Sequence, residues 1–122
     1  MRAGAPGPRE IAESWLEAFN GRQLQRLLDL YDDDAVHTSP KLRAREPRTE
    51  GRIRGKAALR DWFADAFERL PELRYVKRFV TADADRVLLE YDRISPGDPT
   101  MVVAEVFGIR SGRIAESHVF HG

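Results

Sequence analysis

A carboxylate stands in the middle of an apolar run, Met101-Val-Val-Ala-Glu-Val-Phe107. Side chains on a strand alternate between faces, so Met101, Val103, Glu105 and Phe107 share one. If that face is turned toward a core, ionising Glu105 costs free energy and its pKa rises, which makes it a proton-transfer group. If the strand is turned the other way, Glu105 is a wet or arginine-paired surface residue. After the Ser111-Gly112 turn, Arg113-Ile-Ala-Glu-Ser-His-Val-Phe-His121 brings two imidazoles, His118 and His121, to the next strand. The third, His37, precedes Ser39 by two residues and shares its face. Imidazole titrates near neutrality, so any of the three is a base that a neutral carboxyl could work with, or a residue that finishes a pocket wall. No two histidines have the spacing of a metal pair, and the expectation is a site without metal or cofactor.

The elements that must hold these groups follow from periodicity. Pro8 suits a first helical turn, and Ile11, Trp15, Leu16 and Phe19 recur at helical spacing until Asn20-Gly21. Leu24, Leu27, Leu28 and Tyr31 predict a second, shorter helix, stopped by Asp32-Asp33-Asp34, and Ala35–Ser39 a short strand before Pro40. Beyond Gly55, Leu59, Trp62, Phe63, Ala66, Phe67 and Leu70 predict a third helix ending at Pro71. Strands follow at about 74–81, 86–94, 100–110 and 113–121, joined by turn chemistry at 82–85, 95–99 and Ser111-Gly112. Helices followed by an antiparallel meander imply an α+β layer fold. Tyr91 and Arg93 alternate with Asp92 on the middle strand; turned inward they could bind a ligand carbonyl, turned outward they meet water or a second subunit.

Composition narrows the classes. With 122 residues, 42% apolar and 33% charged, the chain suits one globular domain over residues 9–122, after a flexible lead-in at 1–8. It contains no cysteine, which excludes disulfides and thiolate chemistry. No apolar run approaches a membrane span and the N-terminus has no apolar core of a secretion signal, so the expectation is a cytoplasmic protein with no membrane partner. Net charge is zero, yet residues 41–60 hold 8 basic and 2 acidic side chains. Such a run contacts an anion or forms a solvated loop. Without stacking aromatics beside it or a nucleic-acid-binding signature, nucleic acid is not expected as a partner.

Four stretches carry a resemblance: Trp15-Leu-Glu-Ala-Phe-Asn20, Leu30-Tyr-Asp-Asp-Asp-Ala-Val36, Gly55-Lys-Ala-Ala-Leu-Arg-Asp-Trp-Phe63, and Val103-Ala-Glu-Val-Phe107 with Ser111-Gly-Arg-Ile114. In this order and spacing the chain resembles the nuclear transport factor 2-like superfamily, in its SnoaL-like or ketosteroid-isomerase-like branch. The resemblance implies a cone: a curved, mostly antiparallel sheet closed by three N-terminal helices, with an apolar pocket inside and frequently a homodimer through the outer sheet face. Ketosteroid isomerases use an aspartate base with a tyrosine and a protonated aspartate. Their tyrosine falls on Trp15, their base on Ser39 and a second tyrosine near Phe63, so only the protonated acid has an equivalent, in Glu105. SnoaL-like cyclases place an acid or base on the last strand. There the resemblance turns Ser117, Val119 and His121 inward and His118 outward, and a one-residue bulge would exchange the two histidines.

The expected site therefore has Glu105 as acid or oxyanion donor and His37 or His121 as base. Its expected walls are Trp15, Tyr31, Ser39, Trp62, Phe63, Tyr91, Val103, Phe107, Ser117 and Val119, around an apolar, oxygenated small molecule. Three classes of function remain open at this point: an acid–base enzyme, a non-catalytic ligand-binding domain, and a dimerisation module with a filled cone.

Overall fold

The computed structural model describes residues 6–122. The expected lead-in lies mostly outside the described residues, and Pro8 already opens a helix. Helix α1 (Pro8–Asn20) starts with the Gly7 N–H donating to Glu10 Oε1 at 2.8 Å, and buries Ile11, Trp15, Ala18 and Phe19 on one stripe. Helix α2 (Leu24–Asp29) is shorter than its stripe suggested. Tyr31, expected at its end, instead begins strand β1 (Tyr31–Thr38). Strand pairing overrides the acidic triplet, because Asp33 and Asp34 are exposed and Asp32 half-buried while Tyr31, Ala35 and His37 are buried.

The basic segment, expected as a loop or anion contact, is structured. Ser39 caps helix α3 (Pro40–Arg45) by accepting from the Lys41 N–H at 3.1 Å. A 3₁₀ turn (Pro47–Thr49) leads to strand β2 (Arg52–Arg54), which pairs antiparallel with β1. The helix expected third in the chain is thus α4 (Lys56–Arg69), whose Leu59 and Phe63 are buried. Strands β3 (Arg74–Ala82), β4 (Arg86–Ile94), β5 (Met101–Arg110) and β6 (Arg113–His121) form the meander. The six strands lie in the order β2-β1-β6-β5-β4-β3, a curved open sheet in which only β1 and β6 run parallel.

Two details of the sheet decide where the chemistry points. Ser111 and Gly112 both have positive φ, 53° and 75°, the twist a two-residue hairpin requires. Just beyond, Ile109 pairs with Ile114 while Gly108 pairs with Glu116, so Ala115 is the extra residue of a β-bulge. The bulge lets Ile114 and Ser117, three residues apart, both be fully buried. Past it the inner positions of β6 are Ser117, Val119 and His121. The bulge is present and creates this inward set; it does not exchange the histidines.

Register then orders the inner face in rows. His37, Ser117, Phe107 and Val87 form one row; Val119, Glu105 and Leu89 the next; His121, Val103 and Tyr91 the third; Met101, Arg93 and Tyr75 the last. Helix α1 packs across these rows. Asn20 at its end clamps β3, accepting from the Tyr75 N–H at 2.9 Å and donating to the Tyr75 carbonyl at 2.7 Å.

Candidate active site

Between the helices and the inner face lies a cavity of about 300 Å³. Of the residues expected from sequence, Glu105, His37, His121, Trp15, Ser39, Trp62, Phe63, Tyr91, Val103 and Val119 line it. Tyr31, Phe107 and Ser117 do not: they are fully buried behind the wall, each used by a neighbour. The Tyr31 hydroxyl accepts from Trp15 Nε1 at 2.9 Å, Phe107 packs against Trp15 with ring centroids 5.3 Å apart, and the Ser117 hydroxyl lies 2.7 Å from His37 Nδ1.

Glu105 is 1% exposed. Burial pushes its pKa from 4.5 up to about 8, opposed only by the Tyr91 hydroxyl, which donates to Oε1 at 3.1 Å. The carboxyl is therefore mostly neutral at pH 7. Because Oε1 receives the tyrosine proton, the acid's own proton belongs on Oε2, which is buried and has no partner. Among the described residues only one other buried side-chain polar atom, Arg22 Nη1, lacks a partner; an unpaired donor at the cavity wall asks for an explanation, and a ligand oxygen supplies one. Burial likewise raises the hydroxyl pKa of Tyr91, so it stays protonated and continues to donate.

The wall around this carboxyl is aromatic. Tyr75 stacks on Phe19 at 4.1 Å and on Tyr91 at 4.2 Å, and Trp15 stacks on both Phe19 and Tyr75. Such rings exclude water and lower the local dielectric, which is the physical cause of the raised carboxyl pKa. Sequence reading did not find Tyr75. Its strand is mostly exposed, and the alternation that marks β4 is absent from β3.

The three histidines separate cleanly. His37 is buried beside Phe63, and desolvation, with a smaller effect of His118, lowers its pKa from 6.5 to about 4. It is neutral and a weak base. His118 faces outward, 2.8 Å from Glu116 Oε1, and that contact holds the Glu116 carboxyl below its ordinary value. His121 lines the cavity; burial, then Lys41 and Arg93, lower its pKa, so it too is neutral near pH 7. Glu105 pairs with Val119, which places His121 diagonally across the β5–β6 ladder, roughly 7–8 Å away between backbones. A small molecule can span that gap.

Arg93 was open between two faces on sequence grounds. Period two with Val87, Leu89 and Tyr91 now turns it inward, and it lines the cavity with Lys41, Arg45, Arg69 and Asp98. Two of the basic segment's eight cations are explained this way: α3 carries Lys41 and Arg45 to the cavity rim. Among the described residues no three His, Asp or Glu side chains converge as metal ligands would, and no helix is long and apolar enough to cross a membrane.

The sequence profile of the SnoaL-like domain matches residues 12–117. None of the curated proteins matches the chain. Solved structures with the same fold include a SnoaL-like protein of unknown function from Burkholderia thailandensis, 22% identical, covering 94% of each chain with a TM-score of 0.83. A candidate ketosteroid isomerase from Kribbella flavida is 18% identical over 94% of this chain and 77% of its own, with a TM-score of 0.77. A candidate polyketide cyclase from Sinorhizobium meliloti is 20% identical over 91% and 94%, with a TM-score of 0.76. With the profile spanning nearly all of the helices and the sheet, the chain belongs to the SnoaL-like domain family.

Proposed function

We propose that the chain is a small-molecule enzyme of isomerase or cyclase type that moves protons on an apolar, oxygenated substrate. The observation that carries this reading is Glu105: a buried, neutral carboxyl whose Oε2 is unpartnered at the wall of an aromatic cavity. A substrate carbonyl at Oε2 accepts the carboxyl proton in a hydrogen bond that strengthens as negative charge develops on oxygen. His121, one row toward the rim, takes the proton from the carbon next to that carbonyl; the C–H electron pair becomes the enol double bond, and the carbonyl π pair takes up the proton of Glu105. Return of a proton to another carbon, or attack of the enol on a second carbonyl, completes isomerisation or cyclisation. His37, weaker as a base and tied to Ser117, positions the substrate from the row on the far side of Glu105 from His121.

The test is carbon–hydrogen exchange. A panel of small aryl ketones and enones incubated with the protein in D2O is followed by proton NMR. Wild type accelerates exchange next to the carbonyl, and Glu105→Gln loses at least about tenfold of that acceleration. Exchange equal in the two proteins, or none with any member of the panel, contradicts the reading. A second reading, a receptacle without turnover, is favoured by one observation: among the described residues no histidine hydrogen-bonds Glu105. Saturable binding without exchange supports it.

A homodimer through the outer sheet face belongs to the same proposal. Phe79, Glu90, Ala104 and Phe120 form one row across β3 to β6, and Val76 and Val102 flank Asp92 in another, leaving an exposed apolar band on that face. Sedimentation at micromolar concentration checks it, and a clean monomer refutes it.

A further inference from the structure

Arg93 is a second polar group of the cavity wall, and it differs from Glu105 in carrying a charge. Its side chain is 8% exposed, yet among the described residues it makes no side-chain hydrogen bond; its one ionic contact is Asp98 Oδ2, at 3.6 Å and on a side chain 52% exposed. A guanidinium presents five donors in a planar fork, and burying it with only a long, half-solvated partner is costly. Lys41, on α3, lines the cavity beside it and has no ion pair among the described residues. Arg45 and Arg69, farther round the rim, are both engaged by Asp65. Lys41, Arg93 and Asp98 also line a shallow depression with Pro99, Thr100 and Met101, so they stand at the boundary between cavity and solvent.

We propose that Arg93 and Lys41 bind the carboxylate of an apolar carboxylic acid whose oxygen function reaches Glu105. Two cations and one carboxylate leave this end a net charge of +1, which matches a monoanion better than the dianion of a phosphate monoester. The planar fork of Arg93 suits a carboxylate, and a ligand oxygen there satisfies donors that the fold leaves idle. Met101, Arg93 and Tyr75 form the rim row, two rows from Glu105, so a one- or two-ring body separates the ends. The orientation follows: acid group outward, reacting carbonyl inward. This assignment deepens the enzyme reading and rests on it for the inner end only.

The probes are 2-naphthoate, its methyl ester and 2-naphthyl phosphate, titrated against the full chain by calorimetry and amide NMR shifts. Wild type is expected to bind the naphthoate at least about tenfold tighter than the ester or the phosphate. Arg93→Gln and Lys41→Gln each weaken the naphthoate several-fold and leave the ester unchanged, while Asp98→Asn tightens the naphthoate. Lys41 is half-buried on a short helix, so its variant reports even where Arg93→Gln fails to fold. Equal binding of acid and ester, preference for the phosphate, equal loss of acid and ester in the variants, or binding of none of the three at millimolar concentration overturns the assignment. A naphthoate preference that follows Arg93 and Lys41, alongside failed deuterium exchange, sinks the acid–base reading and leaves the carboxylate site standing.

Discussion

The two ends of the cavity use the same strands and differ in charge. At the inner end Glu105 and Tyr91, enclosed by rings, are both neutral. At the rim, two residues farther along β4 from Tyr91, Arg93 stands with Lys41 and Asp98 at the edge of solvent. What separates them is depth: where the walls exclude water a carboxyl keeps its proton, and where water and counter-charges reach in, ions persist. A cavity neutral and donating at one end and cationic at the other orients a ligand before any chemistry begins.

Stability measurements can break this contrast, since the inner end should be coupled to folding and Lys41 at the rim should not. The largest effect is a pH dependence. With a folded pKa of about 8 against 4.5, the contribution of the neutral Glu105 is fully present below pH 4.5 and is lost as pH rises through 8. Glu105→Gln removes this dependence, so the variant gains on wild type by about 5 kcal/mol across that window, read by urea unfolding at a series of pH values. His37 acts in the opposite sense: its stability is present above pH 6.5 and lost as pH falls through about 4, and it cancels in the comparison of the two proteins.

Trp15→Ala, which strips the wall of its stacked indole, costs about 3–5 kcal/mol by the same assay. Tyr31→Phe deletes the acceptor of the Trp15 N–H and leaves that donor buried, a loss of about 1–3 kcal/mol. Lys41→Gln at the rim changes stability by no more than about 0.5 kcal/mol. A rim variant as damaging as Trp15→Ala would erase the contrast.

The contrast also marks what could be read before any coordinates. Alternation in β5 is strong, so Glu105 and Val103 could be placed on one face of their strand from their neighbours alone, while the direction of that face and of Tyr91 on β4 stayed open. Helical stripes likewise exposed α1 and α4. Tyr31 misled because its place in a leucine stripe hides a strand that begins there through pairing with β6, a contact from the far end of the chain. Lys41 and Arg45 misled for a related reason: α3 is six residues long, and its existence depends on the Ser39 cap and on the β1–β2 pairing around it. The inward set of β6 needed the bulge at Ala115, a geometric event that alternation cannot announce. Local pattern locates single faces, while the site is a junction of five strands and three helices.

The central claim is that Glu105 holds its proton at neutral pH because the cavity wall excludes water. Carbon-13 NMR of the Glu105 side-chain carboxyl, assigned through Glu105→Gln and titrated from acid to mildly alkaline pH, tests it directly. The account predicts a single titration centred near pH 8; a midpoint at the ordinary value of 4.5 would contradict it.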